Sequence, residues 1–528
     1  MTALIIHGHF YQPPRENPWT GVIDPESGAA PFHDWNERIH AECYQANGFT
    51  RILDASGTEK FVNNYAHISF DFGPTLLSWL ERSQRATYDQ ILAADAESLL
   101  RHGGHGNAIA HAYNHALLPL ANERDRRTQV RWGLADFRYR FGREPESLWL
   151  PETACNDDVL GLLIDEGLRY VILAPQQAAR VRRRTIIRAD PGKAENSRSI
   201  ADGDWQTIDA NTLDTGVAYT YFHRDGSDRS LAIFFYDQQL ARGIAFEQAL
   251  AASATLVNRF VERSAATPGL VNVATDGESY GHHHKFGELC LAYALTLDAP
   301  ARGFQVTNYG AYLDRHPAEL EVEISNGECG EGSSWSCVHG VSRWIRDCGC
   351  QTGAEPGWNQ AWRGPLRAAL DFLRDEAANA FSATRGDLFV DPWSARDHSI
   401  SLILDERRSR ETFLQRHAPR ELSRVEQQRA LVFLECQRFA LLMYTSCGWF
   451  FNDLAGVEPL QILKYAARTI DLMDQLGPRS PRGPFLEILA QAKSNRTEFG
   501  NGADIYRRLV ESCNPAFESE QDFAESPA

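Results

Sequence analysis

His7 and His9 close the apolar run Leu4-Ile5-Ile6 two residues apart. On a strand, that spacing points both rings to one side. Such a pair serves as metal ligands, as donors to a polar ligand, or as a structural pair satisfied by backbone, and the spacing leaves all three open. A second group of polar residues lies on the turns His102-Gly103-Gly104-His105-Gly106-Asn107 and Tyr113-Asn114-His115. Glycine-rich turns bearing His and Asn suit a site that binds hydroxyls, although many are turns and nothing more. A third group is Trp149-Leu150-Pro151-Glu152-Thr153. Glu152 directly follows an apolar run and a proline, so its backbone direction is fixed, and it is a candidate nucleophile or a helix-terminal acid. The fourth group is Thr275-Asp276-Gly277-Glu278-Ser279-Tyr280-Gly281-His282-His283-His284. Three consecutive histidines rarely face one ion, so no metal site is expected there. Glu152 and Asp276 form the pair of interest. Glycoside hydrolysis needs two carboxyl groups, about 5–5.5 Å apart for retention or about 6.5–9.5 Å for inversion.

Each of these groups follows a short apolar run, as Leu148-Trp149-Leu150 precedes Glu152 and Leu270-Val271-Asn272-Val273-Ala274 precedes Asp276. Further runs, Tyr170-Val171-Ile172-Leu173 and Leu231-Ala232-Ile233-Phe234-Phe235-Tyr236, end at Pro175 and Asp237. Helical patterns lie between them. Val130, Leu134, Phe137 and Phe141 share one face, and Asn156 is placed to cap a helix carrying Val159 and Leu163. Strands alternating with helices predict an α/β fold of the parallel barrel type, whose polar strand ends line a site. Residues 178–205 interrupt the pattern with five arginines within 180–188 and then a polar stretch, and are expected to be a solvated insertion. From about Pro365 the strand signals stop. Helices are expected at 366–381, 424–444, 459–476 and 484–493, followed by a disordered acidic tail over 511–528.

The chain has 528 residues, 53 Lys+Arg and 70 Asp+Glu, for a net charge of −17. That balance argues against nucleic-acid binding, which needs a basic face. With 43% hydrophobic and 23% charged residues the chain is globular. No apolar run is long enough to span a membrane, and no secretory signal opens the sequence, so a cytoplasmic protein is expected. Its ten cysteines are expected to be reduced thiols. Cys337, His339, Cys348 and Cys350 gather four soft donors within fourteen residues. Their one-residue arms are shorter than usual zinc spacing, so buried inert thiols are expected there, with a zinc knuckle as the alternative.

The four polar groups together resemble glycoside hydrolase family 57, over nearly the whole chain. Within that family the sequence is similar to a subgroup defined by a C-terminal domain of unknown function. His7-Gly8-His9 resembles the family's first motif. Trp149-Leu150-Pro151-Glu152 resembles the third, whose Glu is the nucleophile, and Asp276-Gly277-Glu278 with Gly281 the fourth, whose Asp is the acid/base. Residues 330–335 resemble the fifth, which supplies an aromatic wall. The sequence departs from the family at Phe10-Tyr11, which separate His9 from Gln12-Pro13, at Asn107, where the second motif carries Glu, and at Thr275.

The resemblance implies an incomplete seven-stranded barrel over 1–352, with an active-site segment at 326–352, and a helical bundle over 353–510. It implies a retaining hydrolase or transglycosylase acting on α-glucan, with no cofactor and an oligosaccharide or polysaccharide as partner. Glu152 and Asp276 would be catalytic. His7, His9, Gln12, Asn107, His115, Trp149, Asp237, Glu278, His282, Trp335 and Trp449 would bind substrate. The alternatives are a metal-dependent barrel hydrolase with His7, His9 and Asp276 as ligands, and a carbohydrate-binding protein without turnover. Oligomeric state is left open.

Overall fold

The strand Thr2–Phe10 organises the first part of the chain. Eight of its nine residues are buried, as a strand covered on both faces requires. It pairs in parallel with Leu270–Asp276, in a register that sets His9 opposite Asp276. On its other edge it pairs in parallel with Ser69–Phe72, which sets His9 opposite Asp71. From there, parallel contacts continue through single bridges and short ladders. Phe70 bridges to Ala108, Ala110–His111 pairs with Leu148–Trp149, and Ser147 bridges to Tyr170. Tyr170–Leu173 then pairs with Ser230–Phe235. The arrangement is α/β and barrel-like, split into separate sheets rather than one continuous ladder. The computed structural model describes residues 2–54, 56–187, 198–201, 203–267, 269–477 and 479–515.

Asn272 joins Ser230–Phe235 to Leu270–Asp276. Its carbonyl oxygen accepts from Asp237 N–H at 2.9 Å, and its side-chain amide donates to the carbonyls of Thr215 (2.8 Å) and Phe235 (3.2 Å). Apolar and aromatic side chains fill the space around this joint, including Ile5, Ile172, Phe234 and Tyr309.

The insertion expected at 178–205 is corrected in part. Ala178–Ile187 is a strand, paired antiparallel with Leu320–Ile324. Its alternate arginines share one face and meet glutamates of the neighbouring strand. Arg182 and Arg184 each bond Glu321 at 2.7 Å, and Arg180 bonds Glu323. Cross-strand pairing of opposite charges turns a segment that reads as solvated into sheet. Residues 188–197 and 202, in the same expected insertion, lie outside the described residues, as does 516–528 of the expected tail.

The chain forms two compact units, each built from more than one segment. The first takes in the chain up to Gln12, Pro25–Ala112 and Phe137–Trp335; the second takes in Pro13–Asp24, Tyr113–Asp136 and the chain from Ser336. The second is helical. Its helices include Arg363–Ser382, Arg424–Leu442, Val457–Leu476 and Arg482–Leu489, close to the expected spans. Pro392–His398 and Ile400–His417 were not expected. Arginines crowd the latter, and its Leu402, Phe413 and Leu414 reach the apolar cluster of Phe381, Phe389 and Phe433.

Asn272→Ala should strand two buried carbonyls and destabilise the first unit by about 1–3 kcal/mol. Scanning calorimetry should show a lower first transition; an unchanged thermogram would refute this account of the joint.

Candidate active site

The strand ends converge on a buried carboxyl that the sequence did not flag. Asp71 has no solvent exposure. One of its oxygens lies 3.0 Å from His7 Nε2 and the other 2.8 Å from His9 Nδ1. His7 Nδ1 is 3.0 Å from Ser69 Oγ, so both nitrogens of that ring are engaged. The two imidazoles stack on Trp149 at 4.8 and 4.9 Å. His111, at the end of the adjacent strand, stacks on His9 at 5.5 Å and on Tyr11 at 5.8 Å. Burial pushes Asp71 up to about 7, against the opposing pull of His7, and pushes His9 down to about 3, against the charge of Glu152. These contacts therefore act as hydrogen bonds between Asp71 and imidazoles that burial keeps neutral.

Glu152 stands on a single 3₁₀ turn, Pro151–Thr153, after the strand Leu148–Trp149. Its φ is 59° and that of Thr153 is 51°, a left-handed pair that costs non-glycine residues energy. Neighbours hold it there. Gln177 accepts from Thr153 Oγ1 and donates to Thr153 O, both at 2.8 Å. Trp335 N–H donates to Glu152 O at 3.0 Å, and the Trp335 indole donates to Glu152 Oε2 at 3.0 Å. The turned backbone thus presents the Glu152 carboxylate to one half-buried tryptophan.

Asp276 ends its strand opposite His9, recessed among protein atoms yet reachable by solvent. Burial first, then the charges of Glu152 and Asp71, push it up to about 7. Glu278, two residues on, is buried and accepts from Tyr44 O–H at 2.6 Å and from Tyr11 N–H at 3.2 Å. Burial, with Asp276 adding to it, pushes Glu278 up to about 8. Gly277 separates the two acids where no side chain fits, because a Cβ would lie 2.2 Å from the Phe10 ring.

The pattern for "Glycosyl hydrolase family 57" matches residues 32–324, more than half of the chain. The chain belongs to glycosyl hydrolase family 57. A domain of unknown function (DUF3536) matches residues 358–520. Among solved structures, the exo-type maltose-forming amylase of Pyrococcus sp. ST04 is similar in fold (TM-score 0.68, 13% identity, 99% of this chain and 94% of that one). So are the branching enzymes of Pyrococcus horikoshii (0.53, 13%, 97% and 96%) and of Thermococcus kodakaraensis (0.51, 15%, 98% and 95%). No curated protein matches the chain.

The structure does not bring every candidate of this family 57 chain to the Glu152–Asp276 pair. Asp237 caps the helix Gln238–Phe246 through Leu240 N–H and pairs with Arg263, so its carboxylate is spent on the scaffold. Asn107 donates to Tyr65 O and accepts from Asn308, before the strand end that His111 occupies. His282 pairs with Glu42, and the Gln12 amide donates to Tyr11 O. In the second unit, His115 bonds Ser446 Oγ at 2.6 Å. Trp449 is fully buried and donates to Arg363 O, so it has no face for a sugar, a correction to the expected stacking role. The metal-hydrolase alternative fits poorly, because Ser69 and Asp71 hold both nitrogens of its first ligand, His7.

Asp71 and His111 are the residues that sequence reasoning missed. The signal for Asp71 was present: Ser69-Phe70-Asp71-Phe72 places a carboxylate inside an apolar run that ends at Gly73-Pro74.

A carboxyl whose folded pKa is raised favours the native state fully below its unfolded value, and that contribution is lost as pH rises through the folded value. For Glu278 the window runs from about 4.5 to about 8. Glu278→Gln should therefore melt higher than the parent at about pH 9, with the difference shrinking towards about pH 5. A difference independent of pH would show that Glu278 is not held protonated by burial.

Proposed function

We propose that the chain is a retaining α-glucan hydrolase or transglycosylase in which Glu152 is the nucleophile and Asp276 the acid/base. The observation that carries this is that Glu152 and Asp276, from strands that do not pair with each other, come close enough at the strand ends for one charge to act on the other. The charge of Glu152 helps raise Asp276 to about 7, the separation of tasks that glycoside hydrolysis requires. Membership of family 57 and folds shared with a maltose-forming amylase and two branching enzymes support the choice of α-glucan.

In this reading, a sugar rests against the exposed part of Trp335 with its anomeric carbon over Glu152. The ionised Glu152 attacks that carbon while protonated Asp276 gives its proton to the departing glycosidic oxygen. A glycosyl ester forms and the glycosidic bond breaks. Asp276, now ionised, takes a proton from water or from an acceptor hydroxyl, whose oxygen displaces Glu152 and restores the anomeric configuration. The indole N–H at Glu152 Oε2 holds one carboxylate oxygen still. Trp149, expected to bind substrate, is fully buried against His7 and His9, so it supports those rings and presents no face to a sugar. The strands from Thr2–Phe10 to Leu270–Asp276 make up the incomplete seven-stranded barrel that carries these groups.

Amylose, glycogen and maltooligosaccharides incubated with the parent and with Glu152→Ala, with products separated by size and linkage, test this directly. The parent should act and the variant should lose at least about 1000-fold in kcat. Proton NMR of the first product should show the α-anomer, and a β-anomer would refute the double displacement. Because Asp276 must carry its proton, kcat/KM should fall about tenfold per pH unit above roughly 7. Asp276→Asn should abolish that limb together with the activity. A parent inactive on every α-glucan would overturn the assigned sugar.

Trp335→Phe keeps an aromatic wall and removes only the donor to Glu152. We expect kcat to fall about 10- to 100-fold with KM nearly unchanged. A variant whose loss lies wholly in KM would place Trp335 in substrate binding alone.

A further inference from the structure

In the second unit, four donor atoms from two short arms of chain come together. Cys337 Sγ lies 3.9 Å from Cys348 Sγ and 3.7 Å from Cys350 Sγ, and Cys350 Sγ lies 3.6 Å from His339 Nδ1. All four residues bring their donor atoms within 4.8 Å of one another. A tetrahedral zinc ion with Zn–S of about 2.3 Å and Zn–N of about 2.0–2.1 Å needs ligand separations of roughly 3.8 Å between sulfurs and roughly 3.6 Å from sulfur to nitrogen. The observed edges fit these values. They do not fit a disulfide, whose sulfurs sit about 2.05 Å apart, and all three cysteines are free. We propose that Cys337, His339, Cys348 and Cys350 form a structural zinc site, closed by four protein ligands.

The one-residue arms that looked too short in sequence work because of the turns around them. Gly349, between Cys348 and Cys350, has φ 77°, and Gly340, after His339, has φ 78°. Both are left-handed turns that glycine makes at no steric cost, and they fold each arm back on itself.

Charge balance gives an independent argument. Arg343 and Arg363 are buried close to the cluster, 5% and 0% exposed. Arg363 donates to the carbonyl of Cys350 at 3.1 Å and to those of Phe450 and Phe451. Arg343 lies over the Phe450 ring at 4.4 Å, and its Nε and Nη1 meet no hydrogen-bond partner among the described residues. Asp347 acts on Arg363 from nearby, and thiolates at Cys348 and Cys350 would add to it, as buried charge requires a partner. Three thiolates, one neutral imidazole and one divalent ion carry a net negative charge, which supplies it. The zinc then ties the loop that follows Trp335 to the helix Arg363–Ser382 through Arg363.

The test uses the full chain, purified under reducing conditions. Elemental analysis should find one zinc more per chain in the parent than in Cys350→Ser. The cobalt-substituted parent should show sulfur-to-cobalt charge-transfer absorption and tetrahedral visible bands. His339→Cys keeps four ligands and should retain the metal. Three thiols of the native parent should resist alkylation until a chelator is added, a readout that requires no variant to fold. Equal zinc in the parent and Cys350→Ser, a cobalt form without sulfur ligation, or a disulfide between any two of these cysteines would each overturn the proposal.

Discussion

Four carboxyl groups, Asp71, Glu152, Asp276 and Glu278, crowd the strand ends, three of them buried, and their charges oppose one another. Asp71 and Glu152 raise Asp276, and Asp276 raises Glu278. Like charges in a low-dielectric site repel strongly, so the protein must distribute protons among them. The hydrogen bonds fix where those protons sit. His7 and His9 brace Asp71, Tyr44 and Tyr11 brace Glu278, and the Trp335 indole braces Glu152. Asp276 has no such brace among these groups and keeps solvent access, which is where a proton that must come and go belongs.

The parallel register makes this crowding possible. His9 stands opposite both Asp71 and Asp276, because Thr2–Phe10 is flanked by the two strands that end in acids. A shift of one residue would replace Asp71 by Phe70 or Phe72 on one side, or Asp276 by Thr275 or Gly277 on the other. The two-residue strands Ala110–His111 and Leu148–Trp149 are held by little ladder of their own. Aromatic packing supplements them: Trp149 stacks under His7 and His9, and His111 stacks on His9 and Tyr11. The rings that complete the site therefore also hold its weakest strands.

Much of this was legible in the sequence. Glu152 and Asp276 follow apolar runs, and those runs became strands whose ends hold the pair. The helices expected at 366–381 and 459–476 are Arg363–Ser382 and Val457–Leu476. What was not legible falls into two kinds. Asp71 and the strand Ala178–Ile187 carry charges whose partners lie far along the chain, on His7 and His9 and on Glu321 and Glu323. No local pattern reveals a partner that distant in the chain. Asp237 and Trp449 are the reverse case. Their types suit sugar binding, but a helix cap with Arg263 and a buried hydrogen bond to Arg363 O had already used them. Residue type shows what a side chain can do, while its neighbours determine whether it remains available.

The same principle connects the active site with the cysteine cluster. Both gather groups that would be unstable alone: acids beside acids in one case, arginines beside thiols in the other. In the first unit the excess is negative and protons relieve it, which leaves reactive acids whose charge responds to pH. In the second the excess is positive, from Arg343 and Arg363, and three thiolates on a divalent ion relieve it without a labile proton. A proton is exchanged in every catalytic cycle, whereas a four-ligand metal stays in place. Chemistry is therefore assigned to the carboxyl cluster and rigidity to the cysteine cluster, and the choice of neutralising ion separates the two roles.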